Sequence, residues 1–251
     1  FLHSPYTCSA ASLTALKAVA RHHGSLFCIH VAETRDETAV VRERYGTTPV
    51  RHLHRLGVLD DKTLAVHVNW VDAEEMTILR DCGVAVSHCP ESGMKLAAGV
   101  APVPALLARG IPVGLGTDGC ASNNDLDLFG EMDTAAKLHK VRLEDPTVMD
   151  AQTVLRMATR GGARCLGLND RIGTLSLGSA ADLIIVELKN KPHLTPLYNP
   201  WSQLVYAASG SDVATVVING RIVLQDRRLV TIDLPAVIED VERIADRIRS
   251  S

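Results

Sequence analysis

Apolar residues follow two alternating patterns along the first half of the chain. Short, nearly continuous apolar runs end in polar residues, and between them lie stretches whose apolar positions recur every third or fourth residue. The runs at residues 26–31, 63–68, 84–88 and 111–118 have the length of strands buried on both faces. The stretches between them read as helices punctuated at their ends. Ser9 caps one with Leu13, Leu16 and Ala20 on a common face, stopped at Gly24. A second covers about residues 36–45 ahead of Gly46, and a short third runs from Thr48-Pro49 to Gly57. Asp72-x-x-Glu75 is a capping-box pattern closed by Gly83, and residues 102–109 form a further helix. Ser122 and Asn123 offer caps to a helix carrying Leu128, Met132, Ala135 and Leu138. Phe1-Leu2-His3 reads as the tail of a strand.

Strand and helix therefore alternate with connections too short for anything but parallel neighbours. A complete (β/α)8 barrel takes about 250 residues and eight strands. Only four strands and one strand tail fit before Gly119. The expectation is an α/β fold, the carboxyl-terminal part of such a barrel (about strands 5–8) over residues 1–171, in a piece of a longer protein. After helical turns at 150–159 and 162–166 the character changes. A strand at 181–188, a hairpin over 213–226 turning at Asn219-Gly220, and an amphipathic helix at 235–248 suggest part of a small β-sandwich over 172–251.

Composition narrows the partners. A net charge of −3 with mixed signs forms no basic stripe, so nucleic acid is not an expected partner. No apolar run reaches bilayer length and no signal peptide is visible. The six cysteines are scattered without a C-x-x-C pair, which suits reduced thiols in the cytoplasm.

Three of the strands deliver polar residues at their carboxyl ends: His30 followed by Glu33, then His67, then Asp118. Strand ends of a barrel converge on one mouth, so residues distant in sequence meet there. His30-x-x-Glu33 suits a metal site, the imidazole binding a divalent ion and the carboxylate handling protons beside it. Asp118, with Gly119 opening a sharp turn behind it, is a ligand, a base, or both; its plain alternative is a turn aspartate. Two protein ligands are too few for a catalytic zinc, which usually has three plus a water. His52-Leu-His54 has the His-x-His spacing of a strand-borne metal pair, but it falls in a helix, where the two side chains diverge by about 200°. Both are expected to face solvent. His22 and His23 suit a helix carboxyl end, His88 invites a supporting hydrogen bond, and His139 and His193 carry no signal.

Several motifs occur together in order: His30-Val-Ala-Glu33-Thr, Val66-His67, Ser87-His-Cys-Pro90-Glu-Ser92, Lys95-Leu-Ala-Ala-Gly99, Gly114-Leu-Gly-Thr-Asp118-Gly, residues 173–182, and Val217-Ile-Asn-Gly220. In these the chain resembles the amidohydrolase superfamily, in its branch of cytosolic aminohydrolases and chlorohydrolases. The resemblance implies one divalent metal ion, zinc foremost, with iron, manganese or nickel as substitutes. It implies hydrolytic deamination of an adenosine-type nucleoside: 5-methylthioadenosine, S-adenosylhomocysteine, adenosine or 5′-deoxyadenosine. Guanine, 8-oxoguanine or a chloro-s-triazine are the alternatives within the branch, and a non-catalytic fragment is the alternative outside it. By the same resemblance His30 and Asp118 hold the metal, and Asp118 takes a proton from the attacking water. Glu33 carries protons to the ring nitrogen and the departing amine. His67 steers the water or the developing charge, and His3 lines the substrate pocket. The family's His-x-His pair on its first strand is not in this sequence, and Gly93 stands where an asparagine is usual. A homo-oligomer is expected, as is the companion half of the barrel.

Overall fold

The computed structural model describes residues 1–250. In chain order the elements are α1 (Ala10–His22), β1 (Phe27–Val31), α2 (Arg35–Tyr45), α3 (Pro49–Arg55), β2 (Thr63–His67), α4 (Ala73–Asp81), β3 (Ala85–His88), α5 (Pro90–Lys95), α6 (Val103–Ala108) and β4 (Val113–Leu115). Then follow α7 (Cys120–Asn123), α8 (Leu128–Leu143), α9 (Ala151–Arg156), α10 (Gly162–Cys165), β5 (Leu183–Val186), α11 (Pro200–Tyr206), β6 (Val213–Ile218), β7 (Arg221–Gln225), β8 (Arg228–Leu229) and α12 (Leu234–Arg249).

The strands β1 to β4 form one parallel sheet in sequence order, as the βα alternation requires. Leu2 adds a parallel bridge to Ile29, so the segment before α1 does continue as a strand tail. The main chain also carries His3 beside β1, because the His30 N–H donates to the His3 carbonyl at 2.9 Å. Register follows from the runs being apolar throughout: Ile29, Val31, Ala65, Val86 and Val113 are all buried in one core. The helices pack on that sheet through residues such as Leu13, Leu53, Leu79, Leu106 and Met132.

Local signals decide most of the boundaries. Thr34 caps α2 by accepting the Glu37 N–H, and Gly46 ends it in the left-handed conformation. Asp72 and Glu75 form the anticipated reciprocal capping box on α4. The hairpin between β6 and β7 turns with positive φ at both Asn219 (48°) and Gly220 (76°), the requirement of a type I′ turn.

Several expectations need correcting. The cap of α8 is Asp127, whose carboxylate accepts the Phe129 N–H; Ser122 and Asn123 instead belong to the short α7. The run at 111–118 supplies only the three residues of β4, although the main chain on either side still bonds β3: the Pro112 carbonyl accepts the Val86 N–H at 2.8 Å and the Gly116 N–H donates to the His88 carbonyl at 2.9 Å. The helical turns after Asp150 are one helix interrupted by a π-turn over Met157–Gly161. His52 is buried and stacks on Tyr45, with centroids 3.9 Å apart, while only His54 faces solvent. The later strands form one four-stranded antiparallel sheet, β5-β6-β7-β8, among the described residues. The helix α11, not anticipated, is capped by Asn199 and buries Val205 in the main core. All six cysteines are free thiols. Among the described residues no helix is long and apolar enough to cross a membrane.

Candidate metal centre

The four parallel strands end on one rim, and the backbone there is unusual. Ala32 (φ 52°) after β1, His67 and Val68 (74° and 56°) at the end of β2, and Asp118 (60°) after β4 all lie in the left-handed region. Non-glycine residues reach that region at a cost of roughly 1–3 kcal/mol each, and such residues cluster at functional sites.

Register sets the side chains in place. Val31 of β1 pairs with His67 of β2, so His30 and His67 sit on adjacent strands one position apart. Their rings stack with centroids 5.0 Å apart, and His30 Nδ1 lies 3.0 Å from His67 Nε2. Asp118 completes the group: one donor atom from each of His30, His67 and Asp118 lies within 4.8 Å of the others. Glu33 flanks it, with Oε2 3.8 Å from His67 Nε2. His3 stands at the rim, its ring 5.4 Å from that of His30 and its Nδ1 engaged with Thr7 Oγ1 at 2.9 Å and Ser4 Oγ at 3.0 Å. Phe1 closes over His30 edge-on at 5.0 Å.

The electrostatics favour ligands in their binding forms. Burial, with His30 beside it, pulls His67 down to about 4, and burial likewise lowers His30. Both imidazoles are therefore neutral near pH 7, each with one unprotonated nitrogen, the form in which histidine binds a cation. Burial pushes the Asp118 carboxyl up, but the Ser92 hydroxyl, the Gly119 N–H and the two imidazoles together bring it below the usual carboxylate range. Ser92 is fully buried and its hydroxyl donates to Asp118 Oδ2 at 2.7 Å. Glu33 goes the other way: burial first, then the Asp118 charge, raises its pKa, as suits a group that carries protons. Its main chain is tied on both sides, the N–H donating to Glu37 Oε2 at 2.7 Å and the carbonyl accepting from Asn69 Nδ2 at 3.0 Å.

Two imidazole nitrogens and one carboxylate oxygen form the mixed N/O set that a borderline divalent ion such as zinc takes. Zinc–ligand distances of about 2.0–2.2 Å in a tetrahedral site set neighbouring donors roughly 3.3–3.6 Å apart. The 3.0 Å between the two histidine nitrogens is close to that spacing.

All the residues singled out at strand ends thus meet: His3, His30, Glu33, His67 and Asp118. His67, which sequence reasoning kept apart from the ligands, stands as close to His30 as a fellow ligand does. His52 and His54 lie elsewhere on α3. The His88 side chain bonds none of the converging residues; its Nε2 lies 3.1 Å from Nε2 of buried His139, a residue without any signal in the sequence. His193 pairs with Asp212 at 3.1 Å, away from the group. Ser92 had no assigned role; the visible hint was its place just after the Val84–His88 run, at the same rim. Glu131 was missed as well. Burial pushes its carboxyl up to about 8, against the pull of the Glu91 N–H and the Asn123 amide. A concavity of about 490 Å³ bordered by Arg35, Trp70, Asp72 and Arg142 contains none of the converging residues.

Comparison with known proteins identifies the family. A family model described as the amidohydrolase family matches residues 2–223. A 5-methylthioadenosine/S-adenosylhomocysteine deaminase of Syntrophobacter fumaroxidans is 55% identical over 247 residues, which is 98% of this chain and 56% of the relative. A 5′-deoxyadenosine deaminase of Methanosarcina mazei is 48% identical over 246 residues, again 98% of this chain and 56% of the relative. The crystal structure of an adenosine deaminase from Xanthomonas campestris with bound zinc superposes with a TM-score of 0.96 at 41% identity, covering 99% of this chain and 56% of that one. The chain thus spans little more than half the length of the relatives it matches.

Proposed function

Because this chain belongs to the amidohydrolase family, we propose that it carries the catalytic rim of a metal-dependent deaminase, which hydrolyses the exocyclic amine of an adenosine-type nucleoside. The carrying observation is the convergence of His30, His67 and Asp118 within 4.8 Å, with Glu33 alongside. The substrates are 5-methylthioadenosine, S-adenosylhomocysteine, adenosine or 5′-deoxyadenosine, and the products are the inosine analogue and ammonia. The names of the relatives at 55% and 48% identity support this class over guanine and s-triazines.

His30 and Asp118 would hold the ion, with His67 adjacent. A divalent ion held there supplies Lewis acidity and, by lowering the pKa of a water to about 7, a nucleophile at neutral pH. Asp118, kept ionised by Ser92, takes the proton released as water adds to the ring carbon. Glu33, with its raised pKa, protonates the ring nitrogen and afterwards the leaving amine. Neutral His67 donates or accepts a hydrogen bond at the developing charge, and His3 borders the nucleoside. Between its two donations Glu33 takes the second water proton from the hydroxyl on the ring carbon, and the proton on Asp118 afterwards returns to Glu33, so one water is consumed, one ammonia leaves and both carboxyl groups are restored.

In this reading residues 1–171 are the second half of a (β/α)8 barrel and residues 172–251 part of a β-sandwich with its terminal helix. The remaining ligands, a His-x-His pair, come from barrel strands outside this chain. The whole protein is a cytoplasmic homo-oligomer that uses zinc in preference to iron, manganese or nickel. The test is ammonia release by the full-length, zinc-loaded protein. Turnover of 5′-modified adenosines with guanine and atrazine inert supports the proposal, whereas inertness toward every adenosine with turnover of guanine overturns it.

A further inference from the structure

Behind Asp118 lies a buried carboxyl group that the proposed chemistry does not use. Glu131, in the first turn of α8, is fully buried, and its two oxygens are spent on two different loops. Oε2 accepts the backbone N–H of Glu91 at 3.2 Å, and Oε1 accepts the side-chain amide of Asn123 at 2.7 Å. Glu91 is bonded directly to Ser92, whose hydroxyl holds Asp118 Oδ2. Asn123 Nδ2 also donates at 3.0 Å to the carbonyl of Thr117, the residue before Asp118. Two routes therefore run from one carboxyl group, the first to the side chain of Asp118 and the second to its main chain.

Asp118 is a residue that needs such holding, because its backbone sits at a φ of 60°. The surroundings are also built to receive the contact. A Cβ at Gly130 would lie 3.1 Å from Glu91 Oε1, so the bare backbone there is what lets the Glu91 carboxylate settle against α8. Thr134, one turn further along, donates to that same carboxylate at 3.0 Å.

We propose that Glu131 is a positioning residue for Asp118, a buried tie that joins the Glu91–Ser92 loop to the Thr117–Asn123 loop and so fixes both the carboxylate and the main chain of that aspartate. The inference rests on the reading of Asp118 as a metal ligand. A glutamine at 131 keeps one acceptor oxygen and turns an NH2 group toward one of the two donors, so one route opens. Asn123→Ala opens the second route alone.

The experiment uses the full-length protein loaded with zinc, comparing wild type, Glu131→Gln, Asn123→Ala, their double variant, and Leu13→Ala, a core truncation in α1 as control. Zinc affinity is read by competition with a chromophoric chelator, alongside the thermal midpoint, kcat and KM. Each single substitution at 131 or 123 is expected to weaken zinc about tenfold, the lower end for groups that hold a ligand from behind. Each should lower kcat more than it raises KM. The double variant should fall short of the sum, because the two residues share one tie. Leu13→Ala should lower the midpoint and leave zinc affinity at the wild-type value, which separates positioning from general stability. Folded Glu131→Gln and Asn123→Ala proteins with wild-type zinc affinity would overturn the proposal. Should Glu131→Gln fail to fold, Asn123→Ala decides it, since Asn123 is only half-buried and ends a four-residue helix. A wild-type protein without a stoichiometric divalent ion overturns the metal reading and this one together. A wild-type protein that binds zinc, with both variants binding equally well, overturns the positioning role alone.

Discussion

Replacing Ser92 by alanine isolates the electrostatics of Asp118 from everything else. Ser92 is wholly buried inside α5, and its hydroxyl has one described partner, Asp118 Oδ2 at 2.7 Å. Alanine suits a helix better than serine and removes a single atom, so the fold should persist. What is lost is a hydrogen bond to an ionised group, worth about 1.5–3 kcal/mol. At about 1.4 kcal/mol per pKa unit, that moves the Asp118 carboxyl upward by roughly 1–2 units. Asp118 lies below the ordinary range in the folded protein, so its contribution is present above the unfolded pKa and is lost as pH falls through the folded one. Losing Ser92 raises the folded value, so that contribution shrinks and its loss is complete at a higher pH. The acid limb of kcat/KM should therefore move up by about one to two pH units in Ser92→Ala. Zinc retention in a chelator series should match wild type near neutral pH and fall progressively behind it as the medium is acidified, where the raised carboxyl takes up its proton. The assay is ammonia release across pH with the full-length enzyme, paired with a chelator titration. An acid limb and zinc affinity that both coincide with wild type would refute the claim that Ser92 sets the charge of Asp118.

The other predictions concern single positions. Glu33→Gln should lower kcat by about 10² to 10⁴ while leaving KM within a few-fold, since it removes the proton carrier and keeps the shape; steady-state kinetics on 5-methylthioadenosine check this. Gly99→Ala should destabilise the fold by more than about 2 kcal/mol in urea melts, because φ there is +135° and a Cβ would fall 2.6 Å from Trp70 Nε1. Lys17→Met should cost about 2–3 kcal/mol by the same measurement. The buried ammonium bonds Asp60 at 2.5 Å and Thr63 at 2.9 Å, and its loss leaves Arg21, at 3.0 Å, as the cation paired with Asp60, beside the Lys62 N–H at 3.0 Å.

What the sequence made legible was periodic. Runs such as 63–68 are apolar without alternation, so they could only be strands covered on both sides, and the polar residue ending each had to emerge at the rim. That reasoning reached His30, His67 and Asp118 without a contact map. It did not reach Ser92 or Glu131, which act across 26 and 40 residues of chain on the neighbours they hold. A serine and a glutamate on helices look like surface residues until the packing of α5 on α8 is known. The His52–His54 pair shows a subtler failure. Side chains diverging by about 200° place one inward whenever the other faces out, so an expectation that sends both to solvent is wrong for one of them. Asp127 outcompeted Ser122 and Asn123 as a cap because α7 had already consumed those two residues.

The contorted main chain along the rim also bears on how such a protein changes under selection. His67 and Asp118 hold backbone angles that glycine would adopt without penalty. Substitutions to glycine there would relieve the chain while deleting the chemistry, so the sturdiest neighbours of this sequence should include inactive ones. On the proposed function, a library sorted for heat resistance alone would drift toward chains that have lost these two side chains, and only a sort for turnover would keep them.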